Sequence, residues 1–384
     1  MQFLAETIRQ IKQQNLFRET VTYEPHDPVH VKAGGQDLLL LASNNYLGLT
    51  HHPAVQQAAA EAALKWGTGS GGSRLTTGSH PLFAVLEHQL AQFKGTEAAI
   101  VFNTGYMANV GTISALAGAG DVVFSDELNH ASIIDGCHLA KARTVIYRHS
   151  DMADLARCLG STHCEGRRLI VTDGVFSMDG DIAPLPQIVE LARQYDAMVM
   201  VDDAHAAGVI GPSGRGTAAY YGLEQVVDVQ LGTLSKALAA EGAYVAGSQL
   251  LIDYLTNRAR SFIFSTALSP AAVASAIAAL SVLMANPALV RLLQEKAQYF
   301  IARLQRAGFA LGPSVTPIVP LLVGDAKRTV VFAERLLAEG LVVSAIRPPT
   351  VPLGTSRLRM TVTAAHTLAD LDQAAAAICQ VGRE

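Results

Sequence analysis

Seven short apolar runs mark residues 98–246: AAIVF, DVVFS, TVIY, LIVT, AMVMV, VVDVQ and AYVAG. Most are separated by stretches with helical patterning. Strands this apolar offer no polar face to water, so each must be covered on both sides. A central, mostly parallel sheet with helices on both faces provides that cover. The expected class is therefore α/β, with a seven-stranded sheet as its core.

The length of 384 residues exceeds one hydrophobic core and predicts a large domain with a smaller one. Half the residues are hydrophobic and 16% are charged, a balance that supports a buried core and argues against disorder. A net charge of −4 gives no electrostatic footprint for nucleic acid or an anionic membrane. Cys137, Cys158, Cys164 and Cys379 form no C-x-x-C pair and read as reduced thiols. The opening MQFLAETIRQIKQQ lacks the apolar core of a secretion signal. AAVASAIAALSVLMA (271–285) falls short of the ~20 residues that a membrane span needs, and reads as a buried helix. The expectation is a soluble, cytoplasmic protein with no nucleic-acid or membrane partner.

A helix is predicted to open the chain, with Ile8, Ile11 and Leu16 on one side. VHVKAGGQDLLLLA (29–42) predicts two strands turning at Gly34-Gly35. PAVQQAAAEAALKW (53–66) and PLFAVLEHQLAQF (81–93) read as helices led by proline. Beyond about 281, Leu289, Leu293, Ala297, Phe300 and Leu304 make a helical stripe, followed by strand-like IVPLLV, LVVSAI and RLRMTV. The expected organisation is an N-terminal helix and strands (1–49) joining the small domain, a large domain (50–280), and a C-terminal α+β domain (281–384).

Four motifs sit where strands should end. MVMVDDAHAAGVIG places Asp202 and His205 just after an apolar strand, the edge where α/β sheets gather ligands. LGTLSK sets Lys236 among Gly232, Thr233 and Ser235, which suits a reactive amine beside a phosphate contact. FNTGYMANVG opens a helix near Gly105 and Tyr106, whose free N–H groups make an anion site. LNHAS places His130 at a helix start, where it could lie flat over an aromatic ligand. Each alone is as well explained by a cap, a turn or a solvated lysine. Together they supply a lysine nucleophile, a phosphate cradle, a carboxylate and two histidines, the set that pyridoxal 5′-phosphate (PLP) requires.

SNNYLGL (43–49), GTGSGGSRLTTG (67–78), LNHAS, DGVFSMDGDIAPL (173–185), VDDAH and GTLSK occur in the order found in the α-oxoamine synthases, which the chain resembles from about Arg18 to its last helix. These are fold-type I, aspartate aminotransferase-like PLP enzymes that condense an amino acid with an acyl thioester and lose CO2. The resemblance implies that Lys236 forms the Schiff base to PLP and Asp202 pairs with the pyridine nitrogen. It places His205 and Ser177 near the ring hydroxyl and His130 over the ring. Gly105, Tyr106 and Thr233 would hold the phosphate. Ser265 and Thr266 would reach the phosphate of the second subunit in a homodimer. Arg359 would clamp the amino-acid carboxylate near Asn44, and Arg18 and Thr350 would meet the acyl substrate.

AIRPPTVPLGTSRLRMTVTAAHT (345–367) is similar to the branch of the family that joins L-alanine to pimeloyl-CoA or pimeloyl-acyl carrier protein. Sibling enzymes using glycine with acetyl-CoA or succinyl-CoA, or serine with a long acyl chain, share the chemistry. A non-catalytic partner subunit would share only the fold. One departure stands out: Glu241-Gly242 replaces the family's usual Gly-Gly pair, which puts the local backbone path in question. GTGSGGSRLTTG lacks the G-K-[ST] ending of a nucleotide-binding P-loop. DGDIAP is broken as a calcium loop by Pro184, and the histidines form no H-x-x-x-H set, so no metal is expected.

Overall fold

A computed structural model describes residues 1–382 as two compact units. The larger contains Leu47–Ser177 and Asp181–Arg291; the smaller contains Met1–Tyr46, Met178–Gly180 and, of the described residues, 292–382. A boundary at 280/281 would cut the helix Pro270–Ala285, which packs on the helix Pro53–Trp66 within the larger unit. The units divide at Leu47 and, just past the first turn of the helix Ala288–Arg306, at Leu292, against the expected 50 and 281.

All seven apolar runs form strands of one sheet in the larger unit. Its order is Ala98–Phe102, Ala243–Gly247, Val229–Thr233, Ala197–Asp202, Arg168–Asp173, Val122–Asp126, Arg143–Tyr147. Only Ala243–Gly247 runs antiparallel to its neighbours. One face buries Val123, Leu169, Val171, Met200 and Leu231 beneath the helices Gly105–Leu116 and Ala131–Ala140. The other buries Phe124, Ile170, Val199 and Val201 with Leu155, Ile188 and Ala218. Burying each such side chain is worth about 1.5–3 kcal/mol, which is why the runs carry no polar alternation. The parallel strands end side by side, so Asp126, Asp173 and Asp202 terminate three adjacent strands.

In the smaller unit His30–Ala33 and Gln36–Leu40 form a hairpin turning at Gly34-Gly35, both at positive φ. LVVSAI, read as one strand, is two. Leu341–Val342 pairs parallel with Leu39–Leu40, and Ser344–Ile346 pairs antiparallel with Arg357–Arg359. The break at Val343 lets one apolar run serve two sheets. Leu293, Ala297, Phe300 and Leu304 of the helix Ala288–Arg306 are buried as their spacing requires. The opening helix spans Gln2–Gln13, ends before Leu16, and buries none of its residues. Among the described residues no single helix is long and apolar enough to cross a membrane.

Candidate active site

The larger unit assembles its polar groups along the C-terminal ends of the parallel strands. Lys236 follows the strand Val229–Thr233, and its Nζ lies 2.8 Å from Nε2 of His205. His205 is carried by the loop after the adjacent strand and is 7% exposed. That strand ends in Asp202, 3% exposed, whose Oδ2 accepts from the Asn109 amide at 2.7 Å and whose Oδ1 accepts from the Ala204 N–H at 2.8 Å. Both donors are neutral, and burial pushes the Asp202 pKa up despite those bonds and the pull of the Lys236 charge. Its register partner on the next strand, Asp173, is raised well above the usual carboxylate range by burial and then by Asp202.

Asp173 Oδ2 accepts the backbone N–H of His130 at 2.8 Å and so fixes the start of the helix Ala131–Ala140. The His130 imidazole takes up the cap, with Nδ1 2.7 Å from the Ser132 hydroxyl. Its pKa is lowered, first by desolvation, with Asp202 and Lys236 opposing one another across it. Asn109 donates to Ser132 as well, at 2.9 Å, and thereby links the His130 helix to Asp202.

The helix Gly105–Leu116 begins against the end of Lys236's strand; a Cβ added at Gly105 would lie 4.0 Å from the Thr233 Cβ. Thr104 caps it by accepting the Met107 N–H at 3.1 Å, which leaves the first-turn N–H groups of Gly105 and Tyr106 without an intrahelical partner. The Tyr106 hydroxyl donates to Asp135. The Thr233 hydroxyl donates to the Gly242 carbonyl at 2.9 Å, so it reaches an anion only by leaving that bond. Asn103 donates to the Thr266 carbonyl at 2.5 Å, which sets Ser265-Thr266 beside this helix start in the same chain. Ser177 lies half-buried in the turn after Phe176.

Glu241 is exposed and has no left-handed backbone; the demand falls on Gly242, at φ +117°, where a Cβ would meet Leu268 Cδ1 at 2.7 Å. The acid therefore leaves the turn intact. The glycine that the turn needs is present.

The smaller unit holds the remaining candidates. Arg359, 4% exposed on the strand Ser356–Thr361, donates to Thr361 Oγ1 and to Asn44 Oδ1, each at 3.1 Å, and hydrogen-bonds the buried Tyr46. Two residues earlier Arg357 pairs with Asp179. Arg18 and Thr350 line one cleft of about 260 Å³ with Glu19, Ala345, Ile346 and Arg347.

Sequence reasoning missed Asn109, Asp173, His149 and the buried Lys94–Asp203 pair. Asn109 had a faint signal: it lies four residues past Gly105, on the same helical face, in an otherwise apolar stretch. Asp173 ends LIVTD as Asp202 ends its own strand.

The chain belongs to the aminotransferase class I and II family, which its residues 36–378 match, and its fold is that of the fold-type I PLP enzymes. More particular likenesses follow within that family. The 8-amino-7-oxononanoate synthase of Geobacter sulfurreducens is 54% identical over 99% of this chain and 98% of its own. A serine palmitoyltransferase variant from S. paucimobilis, solved with bound PLP–myriocin aldimine, superposes with a TM-score of 0.95 at 36% identity, covering 99% of this chain and 96% of that one. The 8-amino-7-oxononanoate synthase of Francisella tularensis superposes with a TM-score of 0.78 at 26% identity, covering 90% and 98%.

The residues present fit PLP. Asp202 is a buried carboxylate bonded by neutral donors, and a protonated pyridine nitrogen is the cation that would offset its burial. The Asn109 carbonyl oxygen beside it is buried and unpartnered. The open helix start at Gly105 offers N–H groups to a phosphate.

Proposed function

We propose that the chain is a cytoplasmic 8-amino-7-oxononanoate synthase. It condenses L-alanine with a pimeloyl thioester, of CoA or acyl carrier protein, and releases CO2 and free thiol in biotin synthesis. The observation that carries the reading is the Lys236 amine 2.8 Å from His205, at the sheet edge where the adjacent strand ends in Asp202. The 54% identity to the Geobacter enzyme supports the choice of substrates.

PLP, bound there, supplies an electron sink for the charge that develops at the amino acid's Cα. Lys236 would hold the cofactor through Nζ, and its free amine would serve as the base that takes the Cα proton. Asp202 would keep the pyridine nitrogen protonated; a hydrogen bond between charged partners is worth about 1.5–3 kcal/mol, roughly twice a neutral one. His205 and Ser177 would bind the ring hydroxyl edge, and His130 would pack against the ring. Gly105 and Tyr106 would bind the phosphate by backbone N–H, and Thr233 by its hydroxyl on leaving the Gly242 carbonyl. Ser265 and Thr266 serve the phosphate across a homodimer interface. Arg359 grips the alanine carboxylate with its planar guanidinium, with Asn44 beside it. Arg18 and Thr350 bind the acyl substrate.

The close likeness to a serine palmitoyltransferase keeps a second reading in view, serine with a long acyl thioester. Steady-state rates on alanine with pimeloyl-CoA and pimeloyl-acyl carrier protein, against glycine with acetyl-CoA and serine with palmitoyl-CoA, decide between them. Preference for alanine with a pimeloyl thioester is expected; preference for glycine or serine overturns the assignment.

A further inference from the structure

Outside the candidate contacts, one polar cluster stands at the same sheet edge. His149 follows the edge strand Arg143–Tyr147, and its ring lies between two carboxylates. Nδ1 is 3.0 Å from Asp126 Oδ1, and Nε2 is 2.8 Å from Asp181 Oδ2. With an acceptor at each nitrogen, both must carry a proton for both bonds to form. Desolvation works against that charge, but the two carboxylates outweigh it and lift the pKa to about 10.

The two carboxylates belong to different loops, and each loop carries a candidate ring contact. Asp126 opens the turn to His130: its Oδ1 also accepts the Leu128 N–H at 2.9 Å, its Oδ2 accepts the Ser150 N–H at 2.9 Å, and its carbonyl accepts the Asn129 N–H at 3.2 Å. Asp181 closes the turn through Ser177: its carbonyl accepts the Phe176 N–H at 3.0 Å, and Val175 bridges to Ile182. The imidazole also packs edge-on against Phe176, the residue before Ser177, with ring centroids 4.4 Å apart.

We propose that His149 is a positioning residue, an imidazolium clamp that holds the His130 turn and the Ser177 turn at the spacing the PLP ring requires. This rests on the functional reading above, in which those two residues meet the ring. His149 itself touches neither ring nor substrate. Glu127 accepts the His149 backbone N–H, the neighbouring Arg148 pairs with Asp151 and Asp154, and Tyr147 lies within the field of Asp126.

The test measures PLP dissociation constants of the full-length protein and of His149→Phe and Asp181→Ala by absorbance titration, with melting temperatures alongside. His149→Phe, which removes both charge-assisted bonds, is expected to weaken PLP by about tenfold. In Asp181→Ala one carboxylate remains, so the imidazole releases its proton at lower pH. The ratio of variant to wild-type dissociation constant is then expected to rise between pH 6 and 8.5. If His149→Phe does not fold, this ratio decides. A clamp with no positioning role would leave PLP affinity within twofold and the ratio flat while melting temperatures fall, which overturns the proposal. Failure of the wild-type protein to bind PLP is a different result: it removes the functional reading, and the clamp with it.

Discussion

The two faces of the central sheet treat neighbouring aspartates in opposite ways. Asp203, continuing the face of Val199 and Val201, is fully buried and forms an ion pair with the equally buried Lys94 at 2.7 Å. Lys94 also donates to the Arg215 carbonyl at 2.5 Å, and Asp203 accepts the Thr217 N–H. Asp202, on the face of Met200, meets only the neutral donors Asn109 and Ala204. Two identical residues, adjacent in VDDAH, thus divide the work. One charge is balanced by a buried lysine and anchors the loop that carries His205; the other, on the functional reading proposed above, would be balanced by the cofactor's pyridine nitrogen.

The largest expected effect lies on the Asp202 side of that contrast. Lys236→Ala should abolish turnover while leaving the melting temperature within a few degrees, as steady-state assay and calorimetry would show. Asp202→Asn should lower kcat by about 10²–10³, as removal of a preorganised charge does, without loss of stability, because a costly buried carboxylate disappears. Asp203→Asn should do the reverse. It strands the Lys94 charge and costs about 3–5 kcal/mol in denaturant unfolding. If Asp202→Asn and Asp203→Asn prove alike in both measurements, the division of roles fails.

A second pair sharpens the contrast through pH. His366 in the smaller unit is fully buried, bonded by the Thr363 N–H and close to the Leu40 carbonyl, and burial lowers its pKa to about 4. It stays neutral in the fold, so the stability it contributes is present above its ordinary 6.5 and is lost as pH falls toward 4. His149 has the opposite sign. Its contribution is complete below 6.5 and is lost as pH rises through about 10. Melting temperature against pH should therefore fall on both sides, and His149→Phe should flatten only the alkaline limb. The smallest effect belongs to Glu241→Gly, an exposed site with ordinary backbone, which should shift stability by no more than about 0.5 kcal/mol.

The seven strands were legible because burial on both faces leaves a local trace, an unbroken apolar run. The candidate residues at their ends were legible for a similar reason, since each is a polar residue placed where such a run stops. LVVSAI misled because apolar character does not say which sheet a residue joins. The supporting polar groups left almost no trace. Lys94 meets Asp203, Asn109 meets Asp202, and His149 meets both Asp126 and Asp181 only because the fold brings together segments 23 to 109 residues apart. Nothing in the local spelling of YRHSD distinguishes a clamp from a solvated turn.

The most direct test incubates the purified protein with PLP, records its visible and near-ultraviolet absorbance, reduces it with borohydride and maps the modified peptide by mass spectrometry. A single cofactor-sized mass on Lys236, lost in Lys236→Ala and weakened in Asp202→Asn, is the predicted result. Label on another lysine, or none at all, would contradict the account.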